Sequence, residues 1–214
     1  MMILKNFAVF EGGDGSGTTT QLALLQNRFP SLVSAAPPFY ATSEPTDGPI
    51  GRLLRSALKG ETPLQRETLA ILFAADRNEH VYAPGGIWER STQGALVISD
   101  RYVLSSLVYQ GIDCGEALVR RLNDPFPFPE VLFFFDIDSK EAITRMEGRQ
   151  VKEIYEYLDF QIQVRERYRS LLPWYAQEGV RVEIIDASPE PQAVAEEIWR
   201  ALKNMPILRG AGDV

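Results

Sequence analysis

The sequence predicts an α/β fold in which a parallel five-stranded sheet is flanked by helices. Short apolar runs typical of buried strands alternate with helical patterns from one end of the chain to the other. A glycine-rich turn follows the first apolar run and precedes a helical pattern. The chain has 214 residues, of which 45% are hydrophobic and 24% charged, which is enough to form one sizeable core.

Strands and helices are expected to alternate along the chain. We predict strands at Phe7–Glu11, Phe39–Thr42, Ala95–Ser99, Val131–Asp136 and Val182–Ile185. We predict helices at about 18–28, 49–58, 64–82, 102–110, 139–147, 154–177 and 190–203. The proline-rich stretch Asn123–Pro129 is expected to be a surface loop, because a fully apolar strand follows it. The whole is predicted to be a single domain over residues 1–204 with a flexible tail at 205–214.

Charge and cysteine content restrict the class of protein. The net charge of −7 disfavours nucleic acid as the main partner, although a few arginines in a cleft are compatible with an anionic small-molecule substrate. One cysteine, Cys114, excludes an intrachain disulfide framework and indicates a reducing compartment. The N-terminus lacks the pattern of a secretory signal, and no apolar run approaches the roughly 20 residues needed to cross a bilayer. We therefore expect a cytoplasmic protein that does not enter a membrane.

The turn after the first strand has the composition of a phosphate-binding loop. It consists of Gly12, Gly13, Asp14, Gly15, Ser16, Gly17, Thr18, Thr19 and Thr20. Glycines let backbone N–H groups converge on phosphate oxygens, and the following helix adds the positive end of its dipole. The pattern G-x-x-x-x-G-K-S/T is matched except at lysine, where Thr18 stands, and Thr19 occupies the position whose hydroxyl binds Mg²⁺. Taken alone, an ordinary strand-to-helix turn also explains these glycines.

The surrounding residues favour the phosphate loop. The run from Phe10 to Gln21 resembles the loop of thymidylate kinases, with the same Phe-Glu-Gly opening, an acidic residue at Asp14 and the same Thr-Gln ending. Blocks at 42–51, 72–81 and 98–111 also resemble that family in order and spacing, although Ser43 stands where an arginine commonly precedes the Glu-Pro pair. The resemblance covers residues 7–111 and resumes more loosely over 131–168. It implies the P-loop NTPase-type sheet of nucleoside monophosphate kinases.

The resemblance also implies an acceptor site for dTMP. Its residues are Pro45, Phe73, Arg77, Ser106, Tyr109 and Gln110. Phe73 and Arg77 are four apart and share a helix face, which suits a ring that stacks on a nucleobase beside a guanidinium that binds a carbonyl. Family resemblance implies that Ser106 and Gln110 read the thymine edge and that Tyr109 packs under the sugar. The alternative for Phe73 and Arg77 is a core aromatic residue beside a solvated charge.

Asp100 and Arg101 directly follow the third predicted strand, at the edge where open α/β sheets bind ligands. With Thr19, Asp100 is expected to hold Mg²⁺ beside the phosphate loop. Arg101 is expected to bridge the donor and acceptor phosphates, with Asp14 orienting the acceptor. The alternative is a surface ion pair at a strand end.

The lid predicted at about 145–154 departs from the family pattern. Ser16 supplies no arginine in the phosphate loop, so the resemblance implies that the lid supplies the cation, and we assign Arg149 that catalytic role. Arg145 and Lys152 are the other candidates, and a solvated helix end is the alternative for all three. His80, the only histidine, is expected to lie beside the pocket without acting as a general base.

Two functions follow from this sequence. In the first, the protein transfers the γ-phosphoryl group of ATP to dTMP with Mg²⁺ and, as the resemblance implies, works as a homodimer. In the second, it is a catalytically impaired homologue that binds nucleotides in a regulatory or structural role. By analogy with the loss of one electrostatic donor, the missing lysine raises the barrier by roughly 3–4 kcal/mol, or about 10²–10³ in rate.

Overall fold

The computed structural model describes residues 2–32, 36–146, 155 and 157–209. The strands are β1 (Ile3–Gly12), β2 (Phe39–Ser43), β3 (Leu96–Asp100), β4 (Phe128–Asp136) and β5 (Arg181–Asp186). The helices are α1 (Thr18–Leu32), α2 (Pro49–Leu58), α3 (Arg66–Tyr82), α4 (Ile87–Thr92), α5 (Val103–Cys114), α6 (Glu116–Asn123), α7 (Ser139–Met146), α8 (Leu158–Gln177) and α9 (Pro191–Leu202). A 3₁₀ turn follows at Pro206–Leu208. Within these ranges, no helix is long and apolar enough to span a membrane.

The five strands form one parallel sheet in the order β2-β3-β1-β4-β5, which confirms the predicted fold class. The central strands are apolar on both faces because helices cover both. Alternate residues of β1 enter different cores: Phe7 and Val9 pack towards α3, α5 and α8, whereas Ala8 and Phe10 pack towards α1 and α9. Strand β4 divides its side chains in the same way.

The register of the sheet brings the ends of three strands together. Asp100, the last residue of β3, lies opposite Phe10 of β1 and opposite Ser43, the last residue of β2. The segments that leave these strands are the glycine-rich turn, the Glu44-Pro45 pair and Arg101. Parallel strands end at the same edge of a sheet, so the three segments predicted to bind ligands emerge side by side.

Several boundaries differ from the predictions. Helices α4 and α6 were not predicted; they have six and eight residues and are too short for a clear apolar period. The stretch 123–129 is not a surface loop, because Phe126 and Phe128 are buried and β4 begins at Phe128. At the C-terminus, Met205 and Leu208 pack into the core on the α1 and α9 side, and the expected tail beyond 209 lies outside the described residues.

Candidate active site

A cavity of about 820 Å³ opens at the carboxyl ends of β1, β2 and β3. The predicted site residues in its wall are Gly13, Asp14, Gly15, Ser16, Gly17, Thr18, Thr19, Thr20, Pro45, Phe73, Arg77, Asp100, Arg101, Ser106, Tyr109 and Gln110. Gly12 lies just behind the wall and contributes its carbonyl to Arg101. Arg149 lies outside the described residues. Residues from four separated parts of the chain therefore share one cavity.

The glycine-rich turn has the backbone that phosphate binding requires. Gly15 and Gly17 adopt φ of 82° and 92°, in the left-handed region that favours glycine. A Cβ on Gly15 would lie 2.3 Å from the carbonyl oxygen of Ala142, so α7 packs directly on the turn. Helix α1 begins at Thr18, and the first N–H groups of a helix have no partner within it. These amides and the helix dipole form an anion site.

Thr18 is buried in the cavity wall at the position of the usual lysine. Within the described ranges, the basic side chains that line the cavity are Arg55, Arg77, Arg101 and Arg145, with no lysine among them. Positive charge at the site therefore comes from guanidinium groups on four different elements or turns.

Arg101 is the most constrained of these arginines. Its backbone has φ of 71°, which is uncommon outside glycine. One terminal nitrogen, Nη1, donates to the Gly12 carbonyl (3.0 Å) and to Ser105 Oγ (3.3 Å), and Nη2 donates to Asp14 Oδ1 (2.5 Å). Tyr109 also faces this guanidinium: its ring centroid lies 5.3 Å from the guanidinium carbon of Arg101, and its hydroxyl interacts with Arg101. The guanidinium is thus fixed in place beside the phosphate loop.

Asp14 is held by a residue that the sequence did not indicate. Gln161 of α8 donates from Nε2 to Asp14 Oδ2 (2.8 Å) and accepts from the Asp14 N–H (3.1 Å). The same Nε2 donates to the Tyr155 carbonyl (3.0 Å), and the Gln161 side chain is buried. Asp14 therefore bridges α8 and Arg101.

Thr19 and Asp100 form a pair suited to a divalent cation. Thr19 Oγ1 donates to Asp100 Oδ2 at 2.5 Å, and the buried Asp100 Oδ1 has no hydrogen-bond partner among the described residues. An unpaired buried carboxylate oxygen is costly, and a bound cation would satisfy it. No three His, Cys, Asp or Glu side chains converge within the described part of the chain. This arrangement fits Mg²⁺, which commonly takes one or two protein carboxylates and keeps water and substrate oxygens as its other ligands.

Arg77 also lines the cavity, and it is a buried charge rather than a solvated one. It is 1% exposed and donates from Nε and Nη2 to Glu44 Oε2, at 2.9 and 2.6 Å. Nη2 also donates to Ser106 Oγ (3.1 Å), and Nη1 donates to Asn123 Oδ1. One Nη1–H has no acceptor among the described residues, so Arg77 keeps a single fixed donor.

Glu44 is held between two partners. Besides Arg77, it contacts His80 Nδ1 through Oε1 (3.1 Å), and His80 Nε2 lies 2.6 Å from Thr42 Oγ1. Burial alone would raise the pKa of Glu44, but the charge of Arg77 and the hydrogen bond with His80 outweigh burial and lower it. His80 therefore lies beside the pocket, as predicted, and contacts the carboxylate that orients Arg77.

Aromatic and amide side chains complete the wall near Arg77. Phe73, on the same face of α3 as Arg77, is partly buried and borders the cavity. Tyr109 and Gln110 reach it from α5, and the buried Tyr109 hydroxyl faces Arg101 and Gln161. Ser106 accepts the hydrogen bond from Arg77, so its hydroxyl hydrogen remains for another acceptor. Flat apolar surface and a few oriented polar groups are typical of a pocket for a nucleobase.

Of the three lid candidates, the structure describes only Arg145. Its guanidinium donates to the carbonyls of Ala187 (2.8 Å) and Ser188 (2.9 Å) and to Glu141 (2.7 Å). It lines the cavity together with Ala187 and Ser188. Arg149 and Lys152 lie outside the described residues.

Five functional residues were missed by the sequence reasoning. They are Glu11, Glu44, Arg55, Asn123 and Gln161. Glu11 and Glu44 belong to recognised blocks, but nothing in their neighbourhood indicated which charge each would face. Arg55 lies on α2 in the cavity wall, with its buried Nε unpaired.

Comparison with known proteins agrees with this site. The thymidylate kinase family model matches residues 10–198. A protein from Treponema pallidum (strain Nichols) is 40% identical over 207 residues, covering 95% of this chain and 98% of its own. One from Pyrobaculum aerophilum is 40% identical, covering 93% and 97%, and one from Methanococcus maripaludis (strain DSM 14266) is 42% identical, covering 79% and 78%. All three carry the name thymidylate kinase as a provisional assignment.

The Glu44–Arg77 pair generates a stability prediction. Glu44→Ala leaves a buried guanidinium without its counter-charge, which costs about 3–5 kcal/mol in the free energy of unfolding. Glu79→Ala removes an exposed carboxylate from α3, and we expect a change within about 0.5 kcal/mol. Urea unfolding of both variants measures the difference. Equal losses would contradict the importance assigned to the pair.

Proposed function

The chain belongs to the thymidylate kinase family, and from this membership we propose that it transfers the γ-phosphoryl group of ATP to dTMP, giving dTDP and ADP. The observation that carries the proposal is that the phosphate loop, Arg101 and the buried Arg77 all line one cavity. Two nucleotides with their phosphates towards Arg101 would share this cavity.

The proposed reaction is an in-line transfer. A phosphate oxygen of dTMP attacks the γ-phosphorus, the bond to the β–γ bridging oxygen breaks, and ADP leaves. A phosphate nucleophile needs little proton transfer, so catalysis depends on position and charge rather than on a general base. The loop amides from Gly13 to Thr19 hold the polyphosphate, and the Arg101 guanidinium binds oxygens of the migrating group. Asp14 keeps Arg101 in position and orients the acceptor side.

We propose that Thr19 and Asp100 hold Mg²⁺, supported by the unpaired Asp100 oxygen. When bound, the ion neutralises charge on the phosphate oxygens. The other positive charges in the cavity wall are arginine side chains of the protein itself. Arg145 lies near the phosphate loop, and Arg149 remains our proposed lid cation.

Recognition of the acceptor base is assigned to the Arg77 end. Phe73 stacks on the ring, the free Nη1–H of Arg77 binds a base carbonyl, and Gln110 and Ser106 bind the polar edge. Tyr109 packs against the sugar, and Pro45 borders the base. Both Arg77 and Ser106 are fixed by their mutual hydrogen bond, which supports selective rather than adaptable recognition.

An acceptor comparison tests the proposed function. With ATP and Mg²⁺, we expect ADP release to be fastest with dTMP and much slower with dUMP, dCMP and AMP. A coupled ADP assay with single-turnover controls measures this. If no acceptor gave turnover above background while calorimetry still detected ATP binding, the catalytically impaired alternative would replace the kinase.

The absent lysine generates a second prediction. Thr18→Lys places an ammonium group in the cavity wall, and the added charge should raise kcat by at least tenfold, within the roughly 3–4 kcal/mol that one oriented donor contributes. Thr18→Gln is the matched control, since it adds length without charge and should not raise kcat. The same kcat in both variants would mean that the charge at this position does not limit the reaction.

We also propose the homodimer that the family resemblance implies. Its support is exposed apolar surface on two helices that pack together, with Leu53 of α2 39% exposed and Ile71 of α3 52% exposed. The proposed reaction uses ATP, which supports a cytoplasmic location.

Sedimentation velocity tests the dimer. We expect the wild-type protein to sediment as a dimer and Ile71→Asp to shift it towards monomer, because a charge would be buried in the contact. Ile162→Asp places the same charge on an exposed isoleucine of α8 and should leave the dimer intact. A monomeric wild-type protein would end this proposal.

A further inference from the structure

Glu11 is a fully buried carboxylate to which the proposed reaction assigns no role. It is 0% exposed and lies near the end of β1, directly before the phosphate loop. Its carboxylate accepts four hydrogen bonds. Oε1 accepts the backbone N–H groups of Tyr102 (3.0 Å) and Ser105 (3.2 Å), while Oε2 accepts Ser105 Oγ (2.5 Å) and Tyr168 Oη (3.0 Å).

These contacts surround the turn that carries Arg101. Helix α5 begins at Val103, so Glu11 Oε1 satisfies two N–H groups at its start that have no helical partner. Capping of this kind is usually provided by a side chain beside the helix in sequence, whereas here it comes from a different strand. Glu11 thus ties β1 to the first turn of α5.

Ser105 connects Glu11 to the Arg101 guanidinium. The hydroxyl of Ser105 donates to Glu11 Oε2 and accepts from Arg101 Nη1. Arg101 has a backbone conformation that is costly for a residue with a side chain, and such strain persists only where surrounding contacts hold it. The contacts of Glu11 with Tyr102 and Ser105 are among those that hold it.

We propose that Glu11 is a positioning residue that keeps Arg101 aligned on the path of phosphoryl transfer through Ser105. This inference rests on the role of Arg101 in the proposed function. Glu11 touches no substrate in this scheme, so its removal should lower kcat and leave substrate affinity nearly unchanged.

The ionisation of Glu11 distinguishes a positioning role from helix capping alone, because capping alone would not change the pH dependence of kcat. Burial raises its pKa from the ordinary 4.5 to about 7, against the opposing effects of the Ser105 hydrogen bond and the Arg101 charge. The charged and titratable groups that face it are Arg101, Tyr168 and Tyr175. Below about pH 7 the carboxyl is neutral, and the negative charge that faces Arg101 across Ser105 is lost.

Glu11→Gln tests the proposal, because the amide keeps an acceptor for both N–H groups and cannot ionise. At pH 8 we expect kcat to fall about tenfold, with both KM values within twofold of wild type. In the wild-type protein kcat should also fall as pH drops through about 7. Glu11→Gln should lack that limb.

Thermal unfolding independently tests whether folding raises the pKa of Glu11. A carboxyl whose pKa is raised by folding from 4.5 to about 7 contributes fully to stability below pH 4.5, and this contribution is lost as pH rises through about 7. The midpoint of wild-type unfolding should therefore fall between about pH 5 and about pH 8 by more than the midpoint of Glu11→Gln.

Two further variants supply controls. Tyr175→Phe removes a buried α8 hydroxyl that has no hydrogen-bond partner, and it should keep the wild-type kcat and pH profile. Ser105→Ala removes the bridge to Arg101 while leaving the Glu11 contacts to backbone N–H groups, and it should lower kcat as Glu11→Gln does. Ser105→Ala keeps the proposal testable if Glu11→Gln does not fold.

A double-mutant cycle separates the positioning role of Glu11 from the catalytic role of Arg101. In an Arg101→Lys background, Glu11→Gln should cost little further kcat, because the group that it positions has changed. Fully additive losses, or a wild-type kcat and pH profile in Glu11→Gln, would overturn the positioning role. If Arg101→Lys and Arg101→Ala both transferred phosphate at the wild-type rate, the role of Arg101 in the proposed function would be wrong whatever Glu11 does.

Discussion

The ion pair between Arg101 and Asp14 is the interaction on which the site depends. It joins the residue that follows β3 to the turn that follows β1, and the 2.5 Å contact is possible because the two strands end side by side. Gln161 holds Asp14 from α8, and Ser105 holds Arg101 from α5. The guanidinium is therefore oriented before a ligand arrives, as electrostatic catalysis requires.

Arg77, Arg101 and Arg145, which line the cavity, are each held by hydrogen bonds to other residues of the chain. Arg77 binds Glu44 and Asn123, Arg101 binds Asp14, and Arg145 binds two carbonyls and Glu141. A lysine in the phosphate loop would be a mobile point charge, whereas a fixed guanidinium has direction. Most positive charge at this site is consequently built into the folded structure, which explains how a chain of net charge −7 can present an anion-binding cavity.

The sequence predicted what depends on local pattern. All five strands were found, and β1, β3 and β4 are the continuous apolar runs that buried parallel strands require. The residues of the cavity were found because the blocks that carry them are short and contiguous. The contacts that orient those residues were not predicted. Gln161 reaches Asp14 across 147 positions, and Asn123 reaches Arg77 across 46. Such pairs have no local signal, since only the packing of α8 against its neighbours and of α6 against α3 and α5 brings them together. The interpretation of 123–129 as a surface loop was wrong for a related reason. Its prolines are typical of a loop, but its aromatic residues are buried in the core.

Helix α5 carries groups from both ends of the cavity on one rigid element. Ser105 contacts Arg101 near the start of the helix, and Gln110 lies five residues further on, about 7.5 Å along the axis at 1.5 Å per residue. Because the helix cannot stretch, the proposed reaction has a constant span between the point of phosphate transfer and the point of base recognition. A nucleotide that is longer or shorter by one phosphate would match one point and miss the other. In that reaction, the helix that contributes to the acceptor site would also limit the length of the acceptor.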